Sequence, residues 1–136
     1  MPLVTGIITI VIRHIKLYDK PELFGMGPNI DPYVALKVGD REQKTRVALS
    51  EVGNYNYNTF FSFNIGQETQ LKINVSDDEK FLDKKLASGN LNFRELKPRQ
   101  KVSKDVRLSK LVGLDLKGYI SLDVTFTPSS RLLSSF

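Results

Sequence analysis

Apolar residues in this chain recur at every second position in short runs, a period that suits extended strands and excludes long amphipathic helices. Ile120, Leu122, Val124 and Phe126 alternate with Ser121, Asp123, Thr125 and Thr127, so one face meets a core and the other meets water. Near the start, Ile8, Ile10 and Ile12 alternate with Ile7, Thr9 and Val11. Their β-branched content predicts a first strand buried on both faces. Val34, Leu36 and Val38 point one way, and Gly39-Asp40 then turns the chain into a hairpin partner over Gln43–Leu49. Phe61, Phe63 and Ile65 give another strand, followed by Leu71, Ile73 and Val75, by Leu91 with Phe93, and by Val106 with Leu108. About eight short strands separated by turn residues predict an all-β chain, an eight-stranded antiparallel β-sandwich.

No segment sustains a 3.6-residue period. The nearest is Phe81–Leu86, expected to form a turn or two inside a loop, while Pro98 breaks any helix over Glu95–Lys104. A length of 136 residues fits one domain, expected over 4–128, with a patternless tail over 129–136 after Pro128. The predicted core is Ile8, Ile10, Val34, Leu36, Phe61, Phe63, Ile73, Val75, Leu122, Val124 and Phe126.

Composition narrows the function. The chain has no cysteine and one histidine, which removes thiolate nucleophiles, disulfides and Cys-ligated zinc and leaves little for general-base chemistry. His14 lies in the first strand between Arg13 and Ile15, a rim position. Asp77, Asp78 and Glu79 crowd one loop without an aromatic cleft, so a carboxylate-pair hydrolase is not expected and the chain reads as non-enzymatic. Basic residues are not interleaved with a groove-entering helix or a stacking platform, so nucleic acid is not an expected partner. The opening Met1–Gly6 lacks a basic leader, and Ile7–Ile12 is too short to span a bilayer, which predicts a cytoplasmic protein. A net charge of +5 suits anionic surfaces.

Four segments, in order, resemble the C2 domain family. Ile30-Asp31-Pro32-Tyr33-Val34 is similar to its "DPYV" strand opening, and Asn54-Tyr55-Asn56-Tyr57-Asn58-Thr59-Phe60 to its "NPxWNExF" stretch, with tyrosine for both proline and tryptophan. Val75-Ser76-Asp77-Asp78-Glu79 through Leu86 resembles the acidic loop, and Gly118-Tyr119-Ile120-Ser121-Leu122-Asp123-Val124 the closing strand. The order of strands resembles the family's type II arrangement, as in small single-domain elicitor-responsive C2 proteins. The resemblance implies a Greek-key sandwich acting as a peripheral membrane module.

It also implies where calcium would bind. Asp31 and Asp77 match ligand positions, and Glu79 stands where the family has aspartate. The last loop ligand falls on Lys84 or Lys85, with Asp83 adjacent. The first-loop position falls on Gly25, with Asp19 and Glu22 nearby. Calcium takes six to eight oxygens, so this thinned set predicts low affinity or none. The alternative for these acids is strand capping and turn formation.

The family's basic patch would fall on the hairpin cations Lys37, Arg41, Lys44 and Arg46, flanked by Tyr33 and Tyr57. Whether the lysines share a face depends on a register that sequence does not specify. A second cluster, Arg94, Lys97, Arg99, Lys101, Lys104, Arg107 and Lys110, is expected to be a solvated surface. In the first loop, Leu23-Phe24-Gly25-Met26-Gly27 places apolar residues between glycines, and Phe24 is a candidate for insertion at a bilayer interface. Two functions remain open: docking on anionic phospholipid membranes, or a calcium-independent adaptor binding a protein partner.

Overall fold

The computed structural model describes residues 5–18, 31–46, 54–78, 84–111 and 114–129. Eight strands follow in chain order: β1 (Gly6–Leu17), β2 (Pro32–Val38), β3 (Arg41–Lys44), β4 (Asn54–Ile65), β5 (Gln70–Asp77), β6 (Lys84–Asn92), β7 (Val102–Leu111) and β8 (Leu114–Pro128). A single 3-10 turn, Phe93–Glu95, interrupts them among the described residues, its amide at Arg94 capped by the Asn92 side chain. The strands form one sheet in the order β3-β2-β5-β6-β7-β8-β1-β4, and every neighbouring pair is antiparallel.

That sheet folds over on itself at β6 and β7, which share a single pairing, Ser88 with Ser109. Gly89 makes this corner possible: a Cβ there would lie 2.5 Å from the Arg107 carbonyl oxygen. On the opposite side the free edges β3 and β4 meet. The Gln43 side-chain amide donates to the Ser62 carbonyl at 2.8 Å, and the buried Tyr57 hydroxyl donates to the Pro32 carbonyl at 2.7 Å. The result is an eight-stranded antiparallel sandwich. The first and last strands pair from Gly6 with Pro128 to Leu17 with Gly118, and beyond them the Ser129 amide donates to the Thr5 carbonyl at 2.7 Å.

The inward residues of both layers form one core. Ile8, Ile10, Val34, Leu36, Phe61, Phe63, Ile73, Val75, Leu122 and Val124 are buried as predicted, whereas Phe126 is only partly buried and packs against the rim. Burying each such side chain stabilises by about 1.5–3 kcal/mol, which is why the two-residue period is so legible. Between Val38 and Arg41, Gly39 takes φ 62° and closes the tight hairpin that its sequence predicts.

Four sequence expectations need correction. The hairpin partner expected over Gln43–Leu49 is β3 over Arg41–Lys44, Thr45 and Arg46 are not in a strand, and residues 47–49 lie outside the described residues. The first strand is not buried on both faces: Ile7 is 43% exposed and Val11 half-buried, because only one side of β1 meets the other layer. Lys84–Leu86, expected at the end of a helical turn, belong to β6, where Asp77 pairs with Lys84. Residues 81–83 of that expectation lie outside the described residues. Phe93 is not part of a strand with Leu91 but opens the 3-10 turn.

Candidate functional site

β1 and β4 place the loop end of the sandwich. Ile15 pairs with Tyr55 and Lys16 with Asn54, and Tyr57 on β4 bonds the start of β2 at Pro32. The end of β1, the start of β2 and the end of β5 therefore gather at one end of the molecule. Here the structure brings Asp31 and Asp77 together. Pro32 pairs with Asp77, the Asp31 amide donates to Asp77 Oδ1 at 2.7 Å, and the Asp78 amide donates to the Asp31 carbonyl at 2.9 Å. Asp77 is only 6% exposed, so its carboxylate is a strand-locking acceptor with one oxygen already engaged. Asp31 is exposed beside it.

Calcium needs a shell of six to eight oxygens. Among the described residues, no three acidic or histidine side chains converge on one point. Asp31 and Asp77 are the start of such a shell, while Glu79, Asp83, Asp19 and Glu22 lie outside the described residues.

The basic residues are sorted by strand register. Lys37 on β2 pairs with Lys72 on β5 and with Glu42 on β3, and Ala35 pairs with Lys44. Lys72 pairs in turn with Asn90 on β6, Asn74 with Ser88, and Ser76 with Lys85. The outward face of the β3-β2-β5-β6 layer holds a cleft of about 510 Å³ whose walls include Lys37, Lys72, Lys85, Asn74, Ser88 and Asn90. No carboxylate lines it among the described residues, and within them Lys37, Lys72 and Lys85 form no ion pair. Three ammonium groups set between amide and hydroxyl donors match the chemistry of a phosphorylated headgroup.

Lys44 stands at the rim of the same face, its ammonium 5.8 Å from the centre of the Tyr33 ring and 3.8 Å from Glu42 Oε1. Arg46 is exposed just past the end of β3. Arg41 is not brought to this groove. Paired with Val38, it falls at the turn of the hairpin, where its guanidinium lies 3.5 Å from Glu68. Glu68 is held below the usual carboxylate range, chiefly by the Gly66 amide and then by its own, with Arg41 a lesser cause. Tyr33 lies beside Lys44 of the hairpin, but Tyr57 does not face the basic residues. Its ring is 6% exposed, and burial pushes its hydroxyl pKa upward, with Tyr55 adding to the effect. Phe24 lies outside the described residues.

The sequence does not mark Lys72 as a site residue, and it marks Lys85 only as a cation standing at a calcium-ligand position, not as part of a basic groove. Their partners in the groove sit on other strands, and only the β2-β5-β6 register sets them beside Lys37. The one available signal was that Lys72 alternates outward between the core residues Leu71 and Ile73. The second basic cluster is dispersed: Lys104 bonds Glu95 at 3.2 Å, while Arg107 points out from β7 opposite Tyr119.

Solved structures share this architecture. A C2 domain-containing protein from a putative elicitor-responsive gene superposes with a TM-score of 0.77 at 22% identity, over 93% of this chain and 91% of that one. A C2 domain of plant extended synaptotagmin 1 gives 0.76 at 21% identity, over 93% and 98%. Human GIVD cytosolic phospholipase A2 gives 0.73 at 16% identity, over 96% of this chain and 18% of that one. No curated protein matches the chain in sequence. At these identities the superpositions speak to fold alone. The sequence itself carries the family: residues 6–108 match the C2 domain profile, and the chain belongs to the C2 domain family.

Proposed function

We propose that this chain, over residues 4–128, is a non-catalytic module that docks reversibly on anionic phospholipid membranes, with the groove of Lys37, Lys72 and Lys85 taking lipid phosphate. The carrying observation is that cleft: three lysines on three adjacent strands and no acid among its described walls, with Lys44 and the exposed Arg46 on the neighbouring β3 segment as further cations for the same surface. Phe24 in the first loop supplies apolar contact. Calcium is a weak accessory at Asp31 and Asp77, completed by Glu79, Asp83 or Asp19. A C2 pair of extended synaptotagmin 2 with the same fold is calcium-bound, which supports an accessory ion in this chain. Among the described residues no helix is long and apolar enough to cross a membrane, so attachment runs through surface contacts.

Each basic residue near an anionic leaflet contributes about 1 kcal/mol. Replacing Lys37, Lys72 and Lys85 together by Gln should therefore weaken co-sedimentation with phosphatidylserine vesicles by on the order of 100-fold. Arg41→Gln, outside the groove, should change it by less than about threefold. Binding should persist in chelator and fall steeply toward molar salt, where the Debye length is about 3 Å. Parent-like vesicle binding by the triple variant would remove the groove from the mechanism, whereas absence of vesicle binding by the parent would leave the protein-adaptor reading to lead. Submicromolar calcium affinity in a calorimetric titration would show a complete ligand shell and overturn the accessory role.

A further inference from the structure

Four large apolar side chains stand exposed among the described residues: Ile7, Tyr18, Phe60 and Leu116. Two of them, Tyr18 and Leu116, lie near the loop end, on the layer opposite the lysine groove. Tyr18 follows β1 and its amide donates to the Lys117 carbonyl at 2.8 Å. Leu116 immediately precedes Lys117 on β8, and a bulge there pairs it with Ser109. Tyr119 joins them, with its ring 6.4 Å from Tyr18 and 5.8 Å from His14, both edge-on. Cations enclose this apolar ground: Tyr119 pairs with Lys16 on one side and Arg107 on the other.

Among the described side chains, the acids on the same face, Asp105 and Asp123, lie further from the loop end, and each has a partner. Asp105 accepts from Ser121 at 2.6 Å, and Asp123 accepts from Ser103 at 2.7 Å with Arg13 3.7 Å away. The face is therefore graded, with tyrosine, leucine and cations at the loop end and partnered carboxylates below. Ile7 and Phe60 have no such setting. Ile7 pairs with Asn64 and Thr127, and Phe60 with Val11.

We propose that the loop end of the outer β1–β8 face, carrying Tyr18, Tyr119 and Leu116 between Lys16 and Arg107, is a second lipid contact that sits in the interfacial zone of an anionic bilayer. Tyrosine suits that zone because its ring is apolar and its hydroxyl is wet, and lysine and arginine beside it meet the phosphates. This rests on the membrane-docking reading, and it adds an orientation: the domain stands on its loop end, with the lysine groove on one flank and this face on the other.

The chain has no cysteine, so single labels are unambiguous. A polarity-sensitive fluorophore on Tyr18→Cys, on Leu116→Cys and on Ile7→Cys reports each position during titration with phosphatidylcholine/phosphatidylserine vesicles, with co-sedimentation run in parallel. The expected result is a blue shift at 18 and 116 and none at 7. In unlabelled protein, Tyr18→Ser/Leu116→Ser should lose about tenfold in vesicle affinity with little change across salt, since it removes apolar burial rather than charge. Vesicle binding without a shift at 18 and 116 overturns this contact and leaves the groove reading standing. An equal shift at 7 also overturns it, as contact would then be unoriented. Absence of vesicle binding by the parent overturns both.

Discussion

Tyr57 shows how one residue changes meaning between sequence and structure. The family resemblance set it beside the basic patch, yet the ring is buried and its hydroxyl ties β4 to β2 at Pro32. Tyr57→Phe removes that bond and should cost about 1 kcal/mol at neutral pH, read as a lower denaturant midpoint. The sign reverses in alkali. Burial raises the Tyr57 hydroxyl above its ordinary value near 10, so the folded state keeps its proton where the unfolded chain loses it. Its contribution is present below about pH 10 and is lost as pH rises beyond it. Stability of the parent should fall more steeply above about pH 10 than that of Tyr57→Phe, and parallel curves would show that the phenol stays accessible. Lys72 teaches the converse: its neighbours in the groove lie on other strands, so nothing within a few residues marks it as part of a site, and the motif around Lys85 points to calcium rather than to a basic groove. Asp31 and Asp77 were legible because a local motif fixes them.

At the scale of the strand, the two-residue period located the core because each inward side chain must avoid water. It was silent about irregularities. Between Ile12 and His14 an extra residue bulges from β1, so Arg13 departs from the alternation while His14 resumes the outward face. In sequence the break shows only as two successive polar residues between Ile12 and Ile15, which does not distinguish a bulge from a strand end. The β6–β7 corner was equally hidden, since its determinant is Gly89 and the close carbonyl of Arg107. Gly89→Ala forces a Cβ against that carbonyl and should destabilise by roughly 1–3 kcal/mol in urea unfolding. A neighbouring outward change, Ser88→Ala, should stay within about 0.5 kcal/mol. Equal midpoints for the two variants would mean the corner relaxes freely.

Across the whole molecule, a net charge of +5 conceals segregation rather than a uniform field. Lys37, Lys72 and Lys85 gather on one layer's outward face without an acid among them, whereas on the other Asp105 and Asp123 are interspersed with Arg13, Lys16 and Arg107. That arrangement was beyond the sequence because it depends on how the sheet folds at a corner that only one pairing bridges. The meeting of Thr5 with Ser129 carries a different consequence. The polypeptide is nearly a closed ring, and the position of its opening is incidental to the packing. Joining residues 5 and 129 through a short Gly-Ser linker and cutting instead at the Gly39-Asp40 turn should give a permuted protein with the same core and a melting temperature within a few degrees of the parent. The Gly39-Asp40 turn lies at the same end of the sandwich as Thr5 and Ser129, so a fused partner or tether could be moved from the β1–β8 layer to the β2–β3 layer of that end without rebuilding the core.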